Sequence, residues 1–437
     1  MSETELAKGL KRVARLDIIG GGQVVVDGNY AYIGHMKPPH GTSIIDVSDP
    51  ANPKLVTTIM LPDNLSHTHK VRVAGDIMIV NVEMNDRHFL RKGEKIPAAR
   101  AQLEEKLKRP PTDAEIAAEI GAKESDMPVL TNYVERGYHD GGFRIYDISD
   151  PAKPRLLVHH RTHGFGTHRF DMDERYAYIS TEMKGYVGNI LVVYDLRDPT
   201  KPEEVSRWWM PGQHLAGGEK PTWRGYSHRL HHALRFGNEF WASVWFAGIR
   251  ILDASDITNL KVLGEYNYHP PFPEPTHTVA PLPNKWNGRQ IAVAVDEEHE
   301  HTPGQPHAGL WFFDAEDRSK LKPLSMFHLS EFASPFARTA SRFGAHQFQE
   351  RVTGDTLYCT WFSGGVRMID VSDPTAPTET GWYIPEPASG HKAPASNDVF
   401  VDKRELIYLL DRDKGLDIIE RTHEAGTRVA PRRKSDH

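Results

Sequence analysis

One phrase of the sequence decides the fold, and it reads Gly365-Val-Arg-Met-Ile-Asp370-Val-Ser-Asp-Pro374. It recurs almost unchanged from Gly41 and from Gly142, as Gly-Thr-Ser-Ile-Ile-Asp-Val-Ser-Asp-Pro and Gly-Phe-Arg-Ile-Tyr-Asp-Ile-Ser-Asp-Pro. Looser copies, each opening with Gly and closing with Asp or Glu, start at Gly188, Gly248, Gly309 and Gly415. Because the phrase occurs seven times, it predicts a protein built from seven similar units.

Each copy of the phrase follows two further strand-like stretches that meet at a turn. The clearest example is Val24-Val-Val-Asp-Gly-Asn-Tyr-Ala-Tyr-Ile33, with Asp-Gly-Asn at the turn. The Asp-Pro that ends the full phrase fits a type I turn, and another strand follows it. Four antiparallel strands in each unit predict an all-β, seven-bladed β-propeller that spans residues 1–437 as a single domain. Two separate domains are the alternative.

The last unit lacks a good fourth strand before its tail at residues 425–437. Residues 13–19, Val-Ala-Arg-Leu-Asp-Ile-Ile, precede the first unit and belong to none. Pairing this stretch with the last unit would close the ring of blades and remove a free sheet edge. We therefore predict that residues 13–19 supply the outer strand of blade seven.

The Asp-Val-Ser-Asp-Pro phrase resembles the LVIVD-repeat proteins of bacteria and archaea, which are propellers. This resemblance implies the fold and says little about function, because the phrase describes a turn and a strand. We expect structural roles for the acid that closes each strand. These acids are Asp46, Asp147, Asp195, Asp253, Asp314 and Asp370.

Composition excludes several classes of protein. The chain has 437 residues, 39% of them hydrophobic, and no apolar run reaches the ~18 residues of a membrane-spanning helix. The net charge of -6 argues against nucleic acid as a partner, and a single cysteine excludes an intrachain disulfide. The start, Met-Ser-Glu-Thr-Glu, has no apolar signal segment, so we expect a cytoplasmic protein without a membrane partner. The sequence leaves open whether the chain forms a homo-oligomer.

Histidine is the informative residue type, with 24 in the chain. The innermost strands of the blades can be aligned by counting back from their turns. Five of the seven first positions are then histidine, namely His69, His168, His232, His277 and His346. Innermost strands line the channel of a propeller, so we predict that these imidazoles meet at one mouth of it and bind one metal ion.

Acidic residues end the second strand of three blades. Because that strand runs antiparallel to the first, Glu83, Glu182 and Glu297 should lie beside the histidines of their own blades. A carboxylate that accepts the second N–H of a metal-bound imidazole fixes its tautomer. We therefore predict that the three glutamates support the histidine ligands from behind.

Further polar residues occupy the loops next to these strands. His67 lies in Ser66-His-Thr-His69, while Arg229 and His231 lie in Ser227-His-Arg-Leu-His-His232. Imidazoles with an ordinary pKa of about 6.5 suit proton transfer at neutral pH. We expect His67, His231 and Arg229 to act in catalysis; the alternative is that they are solvated loop residues.

Blade two is interrupted at residues 85–140 by a stretch of helical character. Residues 98–108 are strong helix formers, and Thr112-Asp-Ala-Glu115 with Gly121 supplies a capping box and a terminator. Two short helices are therefore expected beside the histidine mouth, either as a lid over it or as a contact between subunits.

The predicted ligand set contains imidazoles and no thiolate, which suits iron, copper, zinc or manganese. A histidine-lined channel with glutamates behind it is similar to the carotenoid-cleaving oxygenases. The segments Ser66-His-Thr-His69 and Ile179-Ser-Thr-Glu182 are similar to short motifs of selenium-binding protein and methanethiol oxidase, which are propellers linked to copper. These resemblances imply a mononuclear iron or copper centre. We therefore predict an oxidoreductase or oxygenase that acts on a small organic substrate, with no organic cofactor.

Two other functions stay open. Zinc or manganese at the same residues would support a lyase or a hydrolase, because either ion polarises a carbonyl or carboxylate group. A propeller without a metal would be a non-enzymatic scaffold that binds another protein on one face. Metal content separates the scaffold from the enzymes, and metal identity separates the two classes of enzyme.

Overall fold

A computed structural model of the chain describes residues 6–225, 227–300, 305–339 and 342–422. Their strands form seven antiparallel sheets. Contacts between successive sheets run from blade one to blade seven and return to blade one. The prediction of a seven-bladed β-propeller is confirmed. Residues 425–437, assigned to the tail, lie outside the described residues.

Blades one to four take their strands from consecutive parts of the chain, innermost strand first. Blade one contains Gly21–Asp27, Tyr30–His35, His40–Asp46 and Lys54–Met60. Blade two contains Val71–Ala74, Ile77–Met84, Gly142–Asp147 and Arg155–Arg161, with Ser66–His67 added beside the second strand. Blade three contains Thr167–Met172, Tyr176–Glu182, Asn189–Asp195 and Glu203–Trp208. Blade four contains His232–Phe236, Glu239–Ser243, Ile249–Asp253 and Lys261–Tyr266.

The last three blades include both ends of the described chain. Blade five contains Thr276–Pro281, Ile291–Asp296, Leu310–Asp314 and Lys322–Phe327. Blade six contains Thr356–Thr360, Val366–Asp370 and Thr378–Tyr383, and Ala7–Lys8 pairs with its outer edge. Blade seven contains Ser396–Val401, Ile407–Asp411, Leu416–Arg421 and, as its outer strand, Leu10–Leu16. The N-terminal stretch therefore closes blade seven as predicted, three residues earlier than expected.

The repeated acids have the structural role that the phrase predicts. In blade six, a carboxylate oxygen of Asp370 accepts the N–H of Ser372 at 2.9 Å, and Asp373 accepts that of Thr375 at 3.0 Å. The same two contacts recur in blade one, from the carboxylates of residues 46 and 49. The phrase is therefore a pair of Asx turns that redirect the chain from the third strand to the fourth.

Apolar side chains fill the space between neighbouring blades. Val293 and Phe312 of blade five, for example, pack in one buried cluster with Leu357 and Trp361 of blade six. Burial of this kind is the main source of stability for stacked sheets. Since the apolar faces meet between the blades, the innermost strands present polar residues to the channel.

The insertion in blade two contains four helices, which are α1 (Arg87–Leu90), α2 (Ile96–Leu107), α3 (Asp113–Ile120) and α4 (Met127–Arg136). The two predicted helices correspond to α2 and α3. The N–H of Glu115 donates to the Thr112 hydroxyl at 3.3 Å, and the N–H of Thr112 donates to the Glu115 carboxylate at 2.8 Å. The four helices share a small apolar core of their own. Nothing in the sequence patterns predicted α1 and α4.

Within the described residues, no helix has the length and apolar character that crossing a lipid bilayer requires.

Candidate metal centre

The innermost strands carry a β-bulge where they reach the channel mouth. In blade three the strand pairing skips His168, and in blade five it skips His277. The equivalent residues of blades one and seven are Gly22 and Asn397. A bulge interrupts the alternation of side chains and redirects the extra residue. Each of these positions is therefore turned toward the channel mouth.

Blade four differs from the sequence prediction by one residue. The N–H of His231 donates to the carbonyl oxygen of Ser243 at 2.9 Å, and His232 is the strand partner of the same serine. Two residues of the innermost strand, His231 and His232, thus oppose the single residue Ser243 of the next strand, which is a β-bulge. His231 is therefore the equivalent of His168. Counting back from the turn selected His232, because a count of residues does not reveal a bulge.

Six imidazoles form a continuous arc at the channel mouth. Neighbouring ring centroids along the arc lie between 4.1 and 5.3 Å apart. In order, the rings of this histidine arc are His67, His69, His168, His231, His277 and His346. The structure therefore brings together four of the five predicted ligands, with His231 in place of His232.

His232 lies in a separate layer of charged residues. Its Nδ1 is 3.6 Å from Oε1 of Glu350, which also accepts a hydrogen bond of 2.6 Å from Arg169. Neither ring nitrogen of His232 has a hydrogen-bond partner among the described residues. His232 and the bulge residue before it therefore face different surroundings, and the ligand set considered below omits His232.

Three rings of the arc donate their Nδ1–H to an oxygen. His231 Nδ1 lies 2.6 Å from the carbonyl oxygen of His277, and His346 Nδ1 contacts the carbonyl oxygen of Asn397. His277 Nδ1 lies 3.1 Å from the hydroxyl of Thr278, which donates its own hydrogen to a buried glutamine. These oxygens act as acceptors, so each ring carries its proton on Nδ1. The Nε2 lone pair of each ring is left to bind a metal.

His168 can take either tautomer. Its Nδ1 lies 3.1 Å from both carboxylate oxygens of Glu83 and 3.1 Å from Nη1 of Arg87, so acceptor and donor compete for it. Its Nε2 is 3.0 Å from Nε2 of His231. Adjacent ligands of an octahedral ion bound at about 2.1 Å stand about 3.0 Å apart. This distance between the two Nε2 atoms therefore suits a hydrogen bond between the rings in the metal-free protein. It also allows His168 to serve as a further ligand when a metal is bound.

The carboxylate of Glu297 lies on the Nε2 side of the rings. Its Oε1 is 3.7 Å from Nε2 of His346, and its Oε2 is 3.9 Å from Nε2 of His277. The ligand atoms of His231, His277 and Glu297 all lie within 4.8 Å of one another. Glu297 thus stands where a ligand would stand, and not behind the rings as the sequence suggested. Two imidazoles and one carboxylate are therefore close enough to hold one ion, and His346 stands next to that carboxylate.

A second group combines His67, His69 and Glu83, whose ligand atoms also lie within 4.8 Å of one another. Glu83 Oε2 is 3.0 Å from His67 Nε2 and 3.8 Å from His69 Nε2. The amide nitrogen of Asn81 lies 3.2 Å from His69 Nδ1 and must donate, since the amide oxygen accepts the N–H of Lys70. This places the proton of His69 on Nε2, where it blocks metal binding. The tautomers therefore favour the first group.

Glu182 occupies the same register as Glu297 but turns its carboxylate elsewhere. It accepts the N–H of Phe165 at 2.9 Å and pairs with Arg91 of the insertion at 2.5 Å. The carboxylate that contacts His168 is that of Glu83. The sequence predicts the strand position of Glu182. The direction of its side chain depends on Arg91, which belongs to the insertion in the neighbouring blade.

Burial keeps the imidazoles of the arc neutral. It lowers the pKa of His67 to about 3, with a further contribution from the charge of Arg87. It also lowers the pKa of the other five rings well below 6.5. A neutral imidazole is the form that binds a metal. The ordinary pKa that we expected for His67 and His231 is therefore wrong, and these rings act as proton acceptors only weakly at neutral pH.

The histidine arc forms the floor of a cavity of about 490 Å³. Trp245 stacks on His231 with ring centroids 5.1 Å apart, and the guanidinium of Arg229 lies 4.6 Å from the centroid of Trp245. The first helix of the insertion contributes Arg87 and Phe89 to the cavity wall. Sequence analysis missed Trp245, since its contact with the arc depends on a loop. The cavity gives a small molecule access to the candidate site.

Removal of the acceptor behind one ring tests the tautomer argument. We expect Thr278→Val to weaken metal binding about 10- to 100-fold, because the Nδ1–H of His277 loses its acceptor and the ring loses its fixed orientation. Metal affinity is measured by competition with a chelator. Thr167→Val is the matched control, since the buried hydroxyl of Thr167 has no hydrogen-bond partner among the described residues. Equal affinities of the two variants would contradict the argument.

The fold and the arc define a class of protein, a β-propeller whose channel mouth is lined with histidine. Three segments, residues 21–60, 124–162 and 351–384, match the LVIVD repeat. The chain thus carries LVIVD repeats within a seven-bladed propeller, as the repeated phrase predicts. No curated protein sequence matches it.

Solved structures similar to this chain are propellers of diverse kinds. The C-terminal WD40 domain of Sif2 shares 9% identity at a TM-score of 0.53, over 94% of this chain and 98% of that chain. The periplasmic gluconolactonase PpgL of Pseudomonas aeruginosa shares 11% identity at a TM-score of 0.53, over 87% and 88% of the two chains. The N-terminal domain of Nup159 shares 10% identity at a TM-score of 0.50, over 97% and 98%. At these identities the similarity concerns the fold alone.

Proposed function

We propose that the protein is a metal-dependent enzyme that binds one ion at the histidine arc and acts on a small organic substrate in the adjoining cavity. The ligands are His231, His277 and His346 through Nε2, together with Glu297, and His168 can join them. One observation supports this assignment above all others. Three buried neighbouring rings each donate Nδ1–H to a fixed oxygen, which leaves the Nε2 lone pair of each ring free.

The donor set suits a redox metal, and with such a metal the protein would be an oxidoreductase. Neutral imidazoles combined with a carboxylate suit Fe(II), and imidazoles also suit copper. Such an ion supplies oxidation chemistry to a substrate bound beside it. The protein holds the ligand rings in place through the backbone carbonyls and Trp245, and the first helix of the insertion forms part of the cavity wall.

Glu83 and His168 give the site a route for a proton. The carboxylate of Glu83 contacts both His67 and His168, and His168 in turn contacts His231. When its Nε2 does not bind the metal, neutral His168 can accept a proton at one ring nitrogen while it releases one from the other, and can so pass a proton from the cavity floor to the carboxylate. We therefore assign proton transfer to His168 and Glu83, where the sequence pointed to His67, His231 and Arg229.

A hydrolase or lyase is the second candidate, because the same pair of groups also suits it. Glu83 is a carboxylate between two imidazoles at the cavity floor, ion-paired with Arg87, and from there it can accept a proton as a general base. Zinc or manganese at the arc would then polarise the substrate.

Elemental analysis of protein purified without a chelator or a metal-affinity tag tests the proposal. Iron or copper at one ion per chain, with oxygen consumption in the presence of organic substrates, is the expected result. Zinc or manganese without oxygen consumption would favour the second candidate. Protein that neither contains metal nor binds it when supplied would contradict both enzyme assignments and favour a scaffold.

A further inference from the structure

Two arginines converge on the candidate metal ligand Glu297. The guanidinium of Arg342 lies 3.3 Å from Oε1 of Glu297, and that of Arg412 lies 3.5 Å from the same oxygen. Both guanidiniums also lie over the ring of Phe362, at 5.3 and 5.2 Å from its centroid. Phe362 in turn stands 4.9 Å from His346, so this cationic face borders the metal ligands directly.

Among the described residues, Glu297 is the one carboxylate that forms an ion pair with either guanidinium, while the charges of Asp411 and Asp413 act on Arg412 from farther away. If Glu297 binds a metal, its negative charge is shared with that ion as well. The remaining side-chain contact of Arg412 is with the amide oxygen of Asn397, which is uncharged. Because both guanidiniums carry a positive charge and border one cavity, they repel one another. An anion beside them would relieve this repulsion.

Space for an anion exists on the outer side of the two arginines. A second cavity of about 360 Å³ is bordered by Arg342, Arg412 and Phe362, and by His391 and Lys392. Asp413 also borders this cavity, and it forms ion pairs with Lys37 at 3.1 Å and with His391 at 3.2 Å. The two cavities share both arginines as lining residues, so the outer cavity adjoins the one above the histidine arc.

We propose that Arg342 and Arg412 bind a carboxylate or phosphate group of the substrate, whose remaining part lies across Phe362 toward the metal ligands. That the bound anion is the substrate rests on the proposed function, since this part of the inference names the substrate class of that enzyme. Guanidinium groups bind planar or tetrahedral oxyanions through paired N–H donors, and an aromatic ring beneath them supports the carbon skeleton. The substrate is accordingly a small organic anion.

Calorimetric titration with inorganic phosphate and with acetate tests this inference independently of catalysis. Binding of at least one of the two is expected, and the stronger of them identifies the headgroup. Arg342→Gln and Arg412→Gln should each weaken that binding at least about tenfold, because each removes a charge-assisted hydrogen bond. Arg338→Gln is the matched control, since Arg338 is an exposed residue of the same loop that pairs with Glu331.

The metal content of the same samples separates the two proposals. Bound metal with no binding of either anion, or with binding unchanged in both arginine variants, would overturn the anion site and leave the metal centre standing. Anion binding that depends on both arginines in protein that binds no metal would leave the anion site and remove the enzyme assignment.

Discussion

His231→Ala is expected to weaken metal binding by more than about 100-fold, whereas His232→Ala is expected to leave it nearly unchanged. Even the loss of a group behind a ligand costs about 10- to 100-fold in affinity, so the loss of a ligand should cost more. The two residues are adjacent and both are buried. Only His231 directs a lone pair toward Nε2 of His168 and stands beside His277 in the arc.

This pair of variants controls for the general effect of removing a buried imidazole. Circular dichroism and thermal unfolding establish that both variants fold, and chelator competition then gives their metal affinities. The opposite result is metal lost in His232→Ala and kept in His231→Ala. It would show that His232 is the ligand, as the alignment of the sequence repeats predicted, and that the bulge does not determine the ligand.

The metal-free protein is expected to lose stability steeply as the pH falls below about 6.5. Burial lowers the pKa of all six rings of the arc, to about 3 for His67. The unfolded chain therefore takes up protons at pH 6 that the folded protein does not. Each ring lowers the free energy of unfolding by up to about 1.4 kcal/mol per pH unit below its unfolded pKa.

Buried aspartates act in the opposite direction but are fewer. Burial raises the pKa of Asp296 to about 7, those of Asp398 and Asp417 to about 6, and that of Asp411 above its ordinary value, so these groups stabilise the fold as the pH falls. The six rings of the arc outnumber these four carboxylates, so we expect a net loss of stability between about pH 6.5 and pH 5. Denaturant unfolding at a series of pH values measures it. Excess metal should shift the loss to lower pH, and a stability independent of pH over this range would contradict the buried neutral arc.

The sequence was sufficient for the fold because the fold repeats. Seven copies of one phrase give the blades, and the Asx turns of Asp370 and its equivalents explain why the phrase persists. A stretch without a unit of its own, at residues 13–19, could be matched with the blade that lacked an outer strand. Ala7–Lys8 could not, because two residues at the edge of blade six carry no pattern.

The candidate site was predictable only at the level of residue types and blades. Histidines in one register predicted the arc, but the bulge in blade four moved the ligand from His232 to His231. Glutamates in one register predicted carboxylates nearby, but Arg91 drew Glu182 away. Arg342 and Arg412 were missed, because they meet Glu297 through loops of different blades.

Anomalous diffraction at the absorption edge of the bound metal tests the central claim most directly. We expect one peak per chain, surrounded by Nε2 of His231, His277 and His346 and by the carboxylate of Glu297. A peak between His67, His69 and Glu83 instead, or metal-supplemented crystals with no peak at the channel mouth, would contradict it.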